Sequence, residues 1–500
     1  LSTAKKFAGQ TAIYGLSTII SRSLYFVLTP ILVSILSARV YGIFTKMYSY
    51  ASLLGALLAF GMETTFFRYL NKRDDAKDKV YSNSFLAVAA LSLLFLLLTA
   101  FFVPGIANWL KGDKTGDLSD YAFYVKCFIY ILIADALCVI PFAKVRANGR
   151  PLRYGMIKFL NVVFVVGLNL FFLFIVPYII KNQLPGTQWM AGWYRFHWVG
   201  YVFLSNLLAS IFTLVMLLPE ILSLKLQFDG PMFAEMFLYS WPMLVANISY
   251  IINENLDKIL LDKLLPGNLS ELQVGIYGAC AKIAVFLSIF VQAFRLGAEP
   301  FFFSQAKNKN AGNTYALIMD YFVIAVSLIF VALVANIEIL KYFVKAKELG
   351  QRELYWSGLK AVPLLLFGYV SLGIYMNLSV WYKLSDQTRY GLYISGVGAL
   401  LTIVLNVLFI PKYGYMASAW VSLIAYASMM VLSYLLGQKH YPIPYNVKKN
   451  LAYIVSSIII VFLSFNVFHR NLIVGNLLLV AFAGAAFWAE RKQLMAILKK

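Results

Sequence analysis

An all-α integral membrane protein is the fold class the sequence predicts. Three observations carry it: the scarcity of charge, apolar runs long enough to cross a bilayer, and a repeat at constant offset. Of 500 residues, 61% are hydrophobic and only 13% charged, whereas a soluble chain of this size carries roughly 25% charged residues. Runs such as Phe85 to Val103, FLAVAALSLLFLLLTAFFV, and Leu451 to Phe468 reach across about 30 Å of hydrocarbon as helices rising about 1.5 Å per residue. The strands of a β-barrel would alternate instead of running apolar throughout.

The expected spans are 11–36, 47–66, 81–107, 121–146, 152–180, 199–222, 234–260, 275–303, 313–340, 355–384, 390–411, 413–437, 447–469 and 471–490, fourteen in all. The first contains Arg22 and Pro30 and lacks a following small-residue cleavage site, so it reads as a retained helix and not a signal peptide. The chain begins at Leu1, which leaves an alternative start or a trimmed end open. Connections on the side of the termini, among them RYLNKRDDAKDK (68 to 79), KVRANGRPLR (144 to 153) and ERKQLMAILKK, hold roughly 23 Lys and Arg against about 14 opposite. Both termini are therefore expected in the cytoplasm, although LKYFVKAKELGQRE (340 to 353) is basic and falls outside.

The formal net charge of +21 implies membrane lipids as partners and not nucleic acid, because lysines at a cytoplasmic rim face anionic headgroups. Cys127, Cys138 and Cys280 lie inside expected helices as small packing residues, without disulfide or metal-ligand spacing.

The repeat pairs 40–67 with 276–303 at an offset of 236 residues. It matches Tyr41 with Tyr277, Gly42 with Gly278, Lys46 with Lys282, Gly61 with Gly297, Glu63 with Glu299, and Phe66 and Phe67 with Phe302 and Phe303. The same offset pairs Arg22 with Lys258 and RYG at 153 to 155 with RYG at 389 to 391. Spans 1 to 6 and 7 to 12 thus read as two pseudo-twofold-related six-helix lobes, followed by two C-terminal helices. The expected division is 1–225, 226–440 and 441–500. Six being even, both copies enter from the same side, and repeats of this kind place a substrate path at their interface.

Gly61 and Gly297 suit close helix contact. Glu63 and Glu299 stand near the cytoplasmic ends of spans 2 and 8, where each either ties its own lobe together or closes an inner gate. Span 1 gathers Thr11, Thr18, Arg22, Tyr25 and Thr29 on one face, and span 7 gathers Asn247, Tyr250, Glu254 and Lys258. A charge near mid-bilayer costs on the order of 3 kcal/mol, so these faces meet partners or water. Glu254 and Lys258 are spaced to pair, with Asp262 continuing the series, or else they serve substrate or ion. Asp135, in YILIADALCVI, is the most isolated acid, a proton carrier or a hydrogen-bonded buried carboxyl.

Catalytic signatures are missing. His197, His440 and His469 are far apart, and no H-E-x-x-H, G-x-S-x-G or P-loop pattern occurs. No cofactor is implied, and no connection is long enough for a soluble catalytic domain. The segment QWMAGWYRFHW (188 to 198) fits an interfacial anchor.

The patterns VYGIFTKMYSYASLLGALLAFGMETTFFRYLN, VRANGRPLRYG, NENLDKILLDKLL, VGIYGACAKI and NVLFIPKYGYMASAWVSLIAY resemble the polysaccharide transporter and O-antigen flippase branch of the multidrug/oligosaccharidyl-lipid/polysaccharide exporter superfamily. The resemblance spans essentially the whole chain. It implies a non-enzymatic flippase, monomeric, that moves an isoprenoid diphosphate-linked oligosaccharide across a bacterial inner membrane, with glycan polymerase machinery as a further partner. By position it also implies that Arg22, Lys46, Lys258 and Lys282 meet the anionic headgroup. The coupling and gating candidates are Glu63, Glu299, Asp135 and Glu254. Two alternatives stand beside it: a cation-coupled multidrug antiporter of the same fold, which typically carries an acid in its first helix where this chain has Arg22, and a membrane glycan polymerase or ligase, which wants a large outer loop.

Overall fold

The computed structural model describes residues 26–73, 76–305, 308, 310–385 and 387–498, apart from some side chains within 296–304 and beyond 491. Among the described residues, all regular structure is helical. Eleven of these helices are long and apolar enough to cross a membrane, so the chain is a multi-pass membrane protein. Contacts divide it into two compact units, Leu1–Gly275 and Ile276–Lys500.

The first unit comprises α1 (Phe26–Ile35), α2 (Ala38–Ala59), α3 (Met62–Lys72), α4 (Lys77–Ala100), α5 (Val103–Lys111), α6 (Leu118–Ala147), α7 (Pro151–Lys181), α8 (Gly200–Met216), α9 (Gly230–Leu264) and the start of α10 (Gly267–Gln305). Ser37 caps α2 by accepting from the Val40 amide, and Asp229 caps α9 by accepting from Met232 N at 3.1 Å. The second expected span bends where Phe60 (φ 48°) and Gly61 (φ 66°) are left-handed. A β-carbon on Gly61 would also lie 3.0 Å from Met243 Cβ and 3.1 Å from the Ser240 carbonyl oxygen of α9. Both facts require glycine, and α3 is thereby laid on α9 with Thr65 and Ser240 hydroxyls 2.8 Å apart. The third expected span, 81–107, is interrupted at Phe101 and Phe102, and Pro104 begins a separate helix, α5. A proline near a helix start lacks only an N–H that would be unsatisfied there.

α6 is the most buried long helix of this unit, with 61% of its apolar window inside. Phe66, Tyr81, Val88, Ile140 and Met236 form the core between α3, α4, α6 and α9. Trp193 and Trp198 of the anchor segment pack beside Tyr194, Tyr201 and Phe172, while Trp189 is exposed.

The second unit holds the remainder of α10, then α11 (Ala311–Ala335), α12 (Leu349–Leu384), α13 (Arg389–Tyr413), α14 (Tyr415–His440), α15 (Val447–Val467) and α16 (Leu472–Leu498). Trp381 is fully buried, donates to Ser433 Oγ at 3.3 Å and fills the space that Gly437 leaves open. Lys449 of α15 joins α11 and α16, with Nζ 2.8 Å from Glu490 and 3.5 Å from Asp320. Reciprocal amide bonds between Asn336 and Asn476 add a second tie at 3.2 and 3.1 Å. The three cysteines are buried and unpaired, as packing residues would be.

Candidate functional site

Lys46 stands on α2 with no exposure at all. An ammonium so placed is tolerated only with partners, and it has them: Glu271 Oε1 at 2.7 Å, Asp262 Oδ1 at 3.4 Å and the Leu110 carbonyl at 3.3 Å. Lys114 approaches the same Asp262 oxygen at 3.0 Å. Arg39, two turns before Lys46, binds the other oxygen of Glu271 at 3.0 Å and donates to the Thr115 carbonyl. Tyr121 donates its hydroxyl to Glu271 and sets its ring 4.9 Å from Lys46 Nζ. Five charges from α2, the turn after α5, the end of α9 and the first turns of α10 thus meet in one knot with a dry centre, the carboxylates and Lys46 at zero side-chain exposure and Arg39 half-exposed at the edge.

The backbones come close enough because two residues have no side chain. A β-carbon on Gly42 would sit 1.8 Å from the Glu271 carbonyl oxygen, and one on Gly275 would sit 1.7 Å from that of Ala38. Small residues permit such contact between membrane helices. The rim is closed by Asn268 Oδ1, which accepts from Thr115 N at 2.9 Å. Beside it, Lys263 donates to the Trp109 carbonyl and lies 3.6 Å above the indole.

Asp135 occupies a different setting. It lines a polar cavity of about 460 Å³ between α6, α7 and α8, with Lys158, Asn161, Ser210 and Thr213. A second cavity of about 280 Å³, reaching Tyr48, Ser52 and Gly55 of α2, shares Asp135 and Asn206 with the first. Asp135 is deep in its helix yet exposed to this space, a polar volume large enough for several waters. Glu63 is also in the wall, paired with Arg146 of α6.

On α9, Lys258 Nζ pairs with Asp257 Oδ1 at 2.9 Å and donates to the backbone carbonyl of Glu254 at 2.8 Å. The carboxylate that engages it is therefore the neighbour's, while the residue four back, expected to pair through its side chain, meets it through the backbone. Lys282 is half-buried on α10. Arg22 and the side chain of Glu299 lie outside the described residues. Sequence spacing pointed to Lys46 but not to Arg39, Lys114, Tyr121 or Glu271. Only tertiary contact gathers them, and the one cue in the sequence was the repeat that matches Lys46 with Lys282. Among the described residues, no group of three or more His, Cys, Asp or Glu side chains could hold a metal ion.

A helical bundle with buried ion knots and an internal polar cavity is the architecture of a membrane transporter. Against known proteins, the profile described as polysaccharide biosynthesis protein matches residues 7–304, and that described as MatE matches residues 242–408. The chain belongs to the polysaccharide biosynthesis protein family, within the multidrug/oligosaccharidyl-lipid/polysaccharide exporter superfamily. Among solved structures it is similar to the lipid II flippase MurJ in an inward closed conformation, at 14% identity and a TM-score of 0.69 over 96% of this chain and 99% of that one. It is also similar to an inward-facing multidrug resistance MATE family transporter, at 15% identity and a TM-score of 0.64 over 89% and 99%. The Vibrio cholerae MATE transporter VcmN, in its bent form, is a further likeness at 12% identity and a TM-score of 0.55 over 90% and 98%. No curated protein matches.

Proposed function

We propose that this chain is a flippase that carries an isoprenoid diphosphate-linked oligosaccharide, the unit of an O-antigen, capsule or exopolysaccharide, across a bacterial inner membrane by alternating access. The supporting observation is the conjunction of a polysaccharide biosynthesis family with a transporter fold. A transporter in that setting moves an intermediate that assembly consumes on the far side. Carrying two phosphate charges bare through hydrocarbon would cost tens of kcal/mol, which fixed cations in a hydrated path reduce. Arg22, Lys258 and Lys282 are the cations we assign to the headgroup in that path, with Lys46 reaching it once its buried ion pairs open. Asp135, Glu63, Glu299 and Glu254 are the coupling and gating groups.

The fourteen-span reading is consistent with eleven long apolar helices, the shorter Phe26–Ile35 and Gly200–Met216, and the 35-residue polar-faced α9. On that reading residues 1–225 and 226–440 are the repeat lobes, 441–500 adds two helices, and both termini are cytoplasmic. The knot around Lys46 then ties span 2 of one lobe to spans 7 and 8 of the other on the outer side.

The test is flipping of a fluorescent polyprenyl diphosphate glycan in proteoliposomes. Arg22→Lys keeps partial transport, while Arg22→Ala and Lys258→Ala each abolish it at normal protein level. Transport persisting in the doubly neutralised protein would remove these residues from the headgroup site. A second reading, a cation-coupled multidrug antiporter, is favoured by the MatE match at 242–408. It predicts proton- or sodium-driven efflux of a cationic dye, which the flippase reading does not.

A further inference from the structure

The knot around Lys46 is unbalanced in two ways. Among the described residues the acids paired with Arg39, Lys46 and Lys114 are Asp262 and Glu271, and Lys263 lies within electrostatic reach of the same Asp262, so positive charge is in excess, part of it on the half-exposed Arg39. The two carboxylates are also unequally held. Glu271 has contacts at 2.7 and 3.0 Å and a tyrosine hydroxyl. Asp262 makes only ion contacts at 3.0 and 3.4 Å, and neither of its buried oxygens has a hydrogen-bond partner. A buried carboxylate without hydrogen bonds is poorly compensated for its lost hydration, and a cluster with surplus cations in low dielectric attracts an anion.

We propose that this knot is a latent diphosphate site that acts as an ion-exchange latch. A diphosphate, with several acceptor oxygens and about two charges, takes Lys46, Lys114 and Arg39 from Asp262 and Glu271. Asp262 leaves first. Once Glu271 is released from Arg39 and Lys46, the ion pairs between α2 and the start of α10 are gone, the close backbone contact of Gly42 and Gly275 is left without them, and the two helices part. The headgroup is thus recognised by the cations that hold the contact shut, and opening on this side requires a cargo of the right charge. Asp262 and Glu271 are positioning residues in this scheme: they touch the cations and not the cargo. The inference rests on the flippase reading for its ligand class but is measured separately from transport.

The experiment uses the full chain in lipid nanodiscs, with the three native cysteines changed to alanine and spin labels on Val40→Cys of α2 and Leu269→Cys of α10. Distances between labels are read by pulsed electron resonance. Inorganic pyrophosphate, inorganic phosphate and polyprenyl diphosphate are titrated in parallel arms. Pyrophosphate or polyprenyl diphosphate should raise the ratio of separated to close labels by about tenfold or more, which requires a comparable difference in affinity between the two states. Phosphate should act weakly. A response to polyprenyl diphosphate alone assigns the ligand to the lipid headgroup.

Glu271→Gln should separate the labels without ligand. Lys46→Met should blunt the response, and Lys46→Arg should restore most of it. Two results overturn the latch: labels that stay close in both Glu271→Gln and Asp262→Asn, or a wild-type distribution that ignores both diphosphates while Glu271→Gln opens. A responsive latch in a protein that flips no polyprenyl diphosphate glycan would instead refute the flippase reading and leave the latch standing.

Discussion

The knot around Lys46 and the cavity around Asp135 belong to the same unit and share helices α2 and α6, but one is dry and the other holds water-sized space. At the centre of the knot charge was moved from water to protein partners: Lys46, Asp262 and Glu271 have no exposed side-chain surface, while Arg39 at its edge keeps about a third of its own. At Asp135 the carboxylate faces cavity space on two sides, one polar and the other lined mainly by apolar side chains. The difference separates roles by cost. A dry ion cluster is tightly coupled to the geometry that surrounds it, because losing one partner strands the others. A solvated carboxylate can change partners while the helices stay put. The first suits holding a conformation and the second suits exchanging a small ion.

The comparison breaks most visibly at Glu271. Glu271→Leu leaves Lys46 buried without its nearest acid and takes the same partner from the half-exposed Arg39, and should destabilise the protein by about 3–5 kcal/mol, read as denaturant unfolding in micelles. Adding Lys46→Met should recover part of that loss, since removing both members of a buried pair is far milder than removing one. If the two losses simply add, the residues are not coupled and the knot is a set of independent contacts. Next in size is Gly42→Ala. Its methyl would overlap the Glu271 carbonyl, and overpacking of this kind costs about 1–3 kcal/mol. The change should also weaken the Thr115 to Asn268 rim, seen as faster labelling of a cysteine placed at 268.

Much of this fold was legible in the sequence because its determinants are local. Apolar runs marked the helices, Gly61 was legible as a point of close helix contact though not as the bend between α2 and α3, and the spacing of Asn247, Tyr250, Glu254 and Lys258 showed that α9 has a polar face. The interruption at Phe101 and Phe102 was missed because both residues are as apolar as their neighbours, and only Pro104 hinted at a new start. The knot was half legible. Lys46 stood out through its match with Lys282 in the repeat, and Asp262 as a further acid on a polar face. Glu271 and Lys114 looked like ordinary loop-side charges, since what buries them is contact between segments more than a hundred residues apart. Gly275 carried no signal, because its need for a bare α-carbon arises from Ala38 on another helix.

Asp135 sharpens the contrast from the solvated side. Asp135→Asn keeps the shape and much of the hydrogen bonding of a group already in contact with cavity space. Its effect on unfolding should therefore stay below about 1 kcal/mol, the range of substitutions that strand no buried partner. Transport driven by an ion gradient should nonetheless fall sharply if this carboxylate exchanges the coupling ion, while downhill flipping without a gradient should change little. A loss of stability as large as that of Glu271→Leu would show that Asp135 is as dry as the knot and remove the distinction.

The smallest effect is expected outside the spans, at Asp229, where an exposed acid does a local task. Its carboxylate accepts from Met232 N at 3.1 Å and pairs with Lys79 at 3.2 Å. The backbone hydrogen bond, and then the lysine, hold its pKa below the ordinary value of 3.8. A carboxyl with a lowered folded pKa adds stability that is fully present above its unfolded pKa and is lost as pH falls through the folded one. The contribution should therefore be flat from neutral pH down to about pH 5 and fade only below the usual carboxylate range. Asp229→Asn keeps a capping oxygen and should behave like wild type near neutrality while losing the acid-range slope. Asp229→Ala should be less stable at every pH above that range, by less than any change in the knot. Identical unfolding of all three proteins at pH 7 would mean that the start of α9 is held by its packing on α3 and α4 and not by its cap.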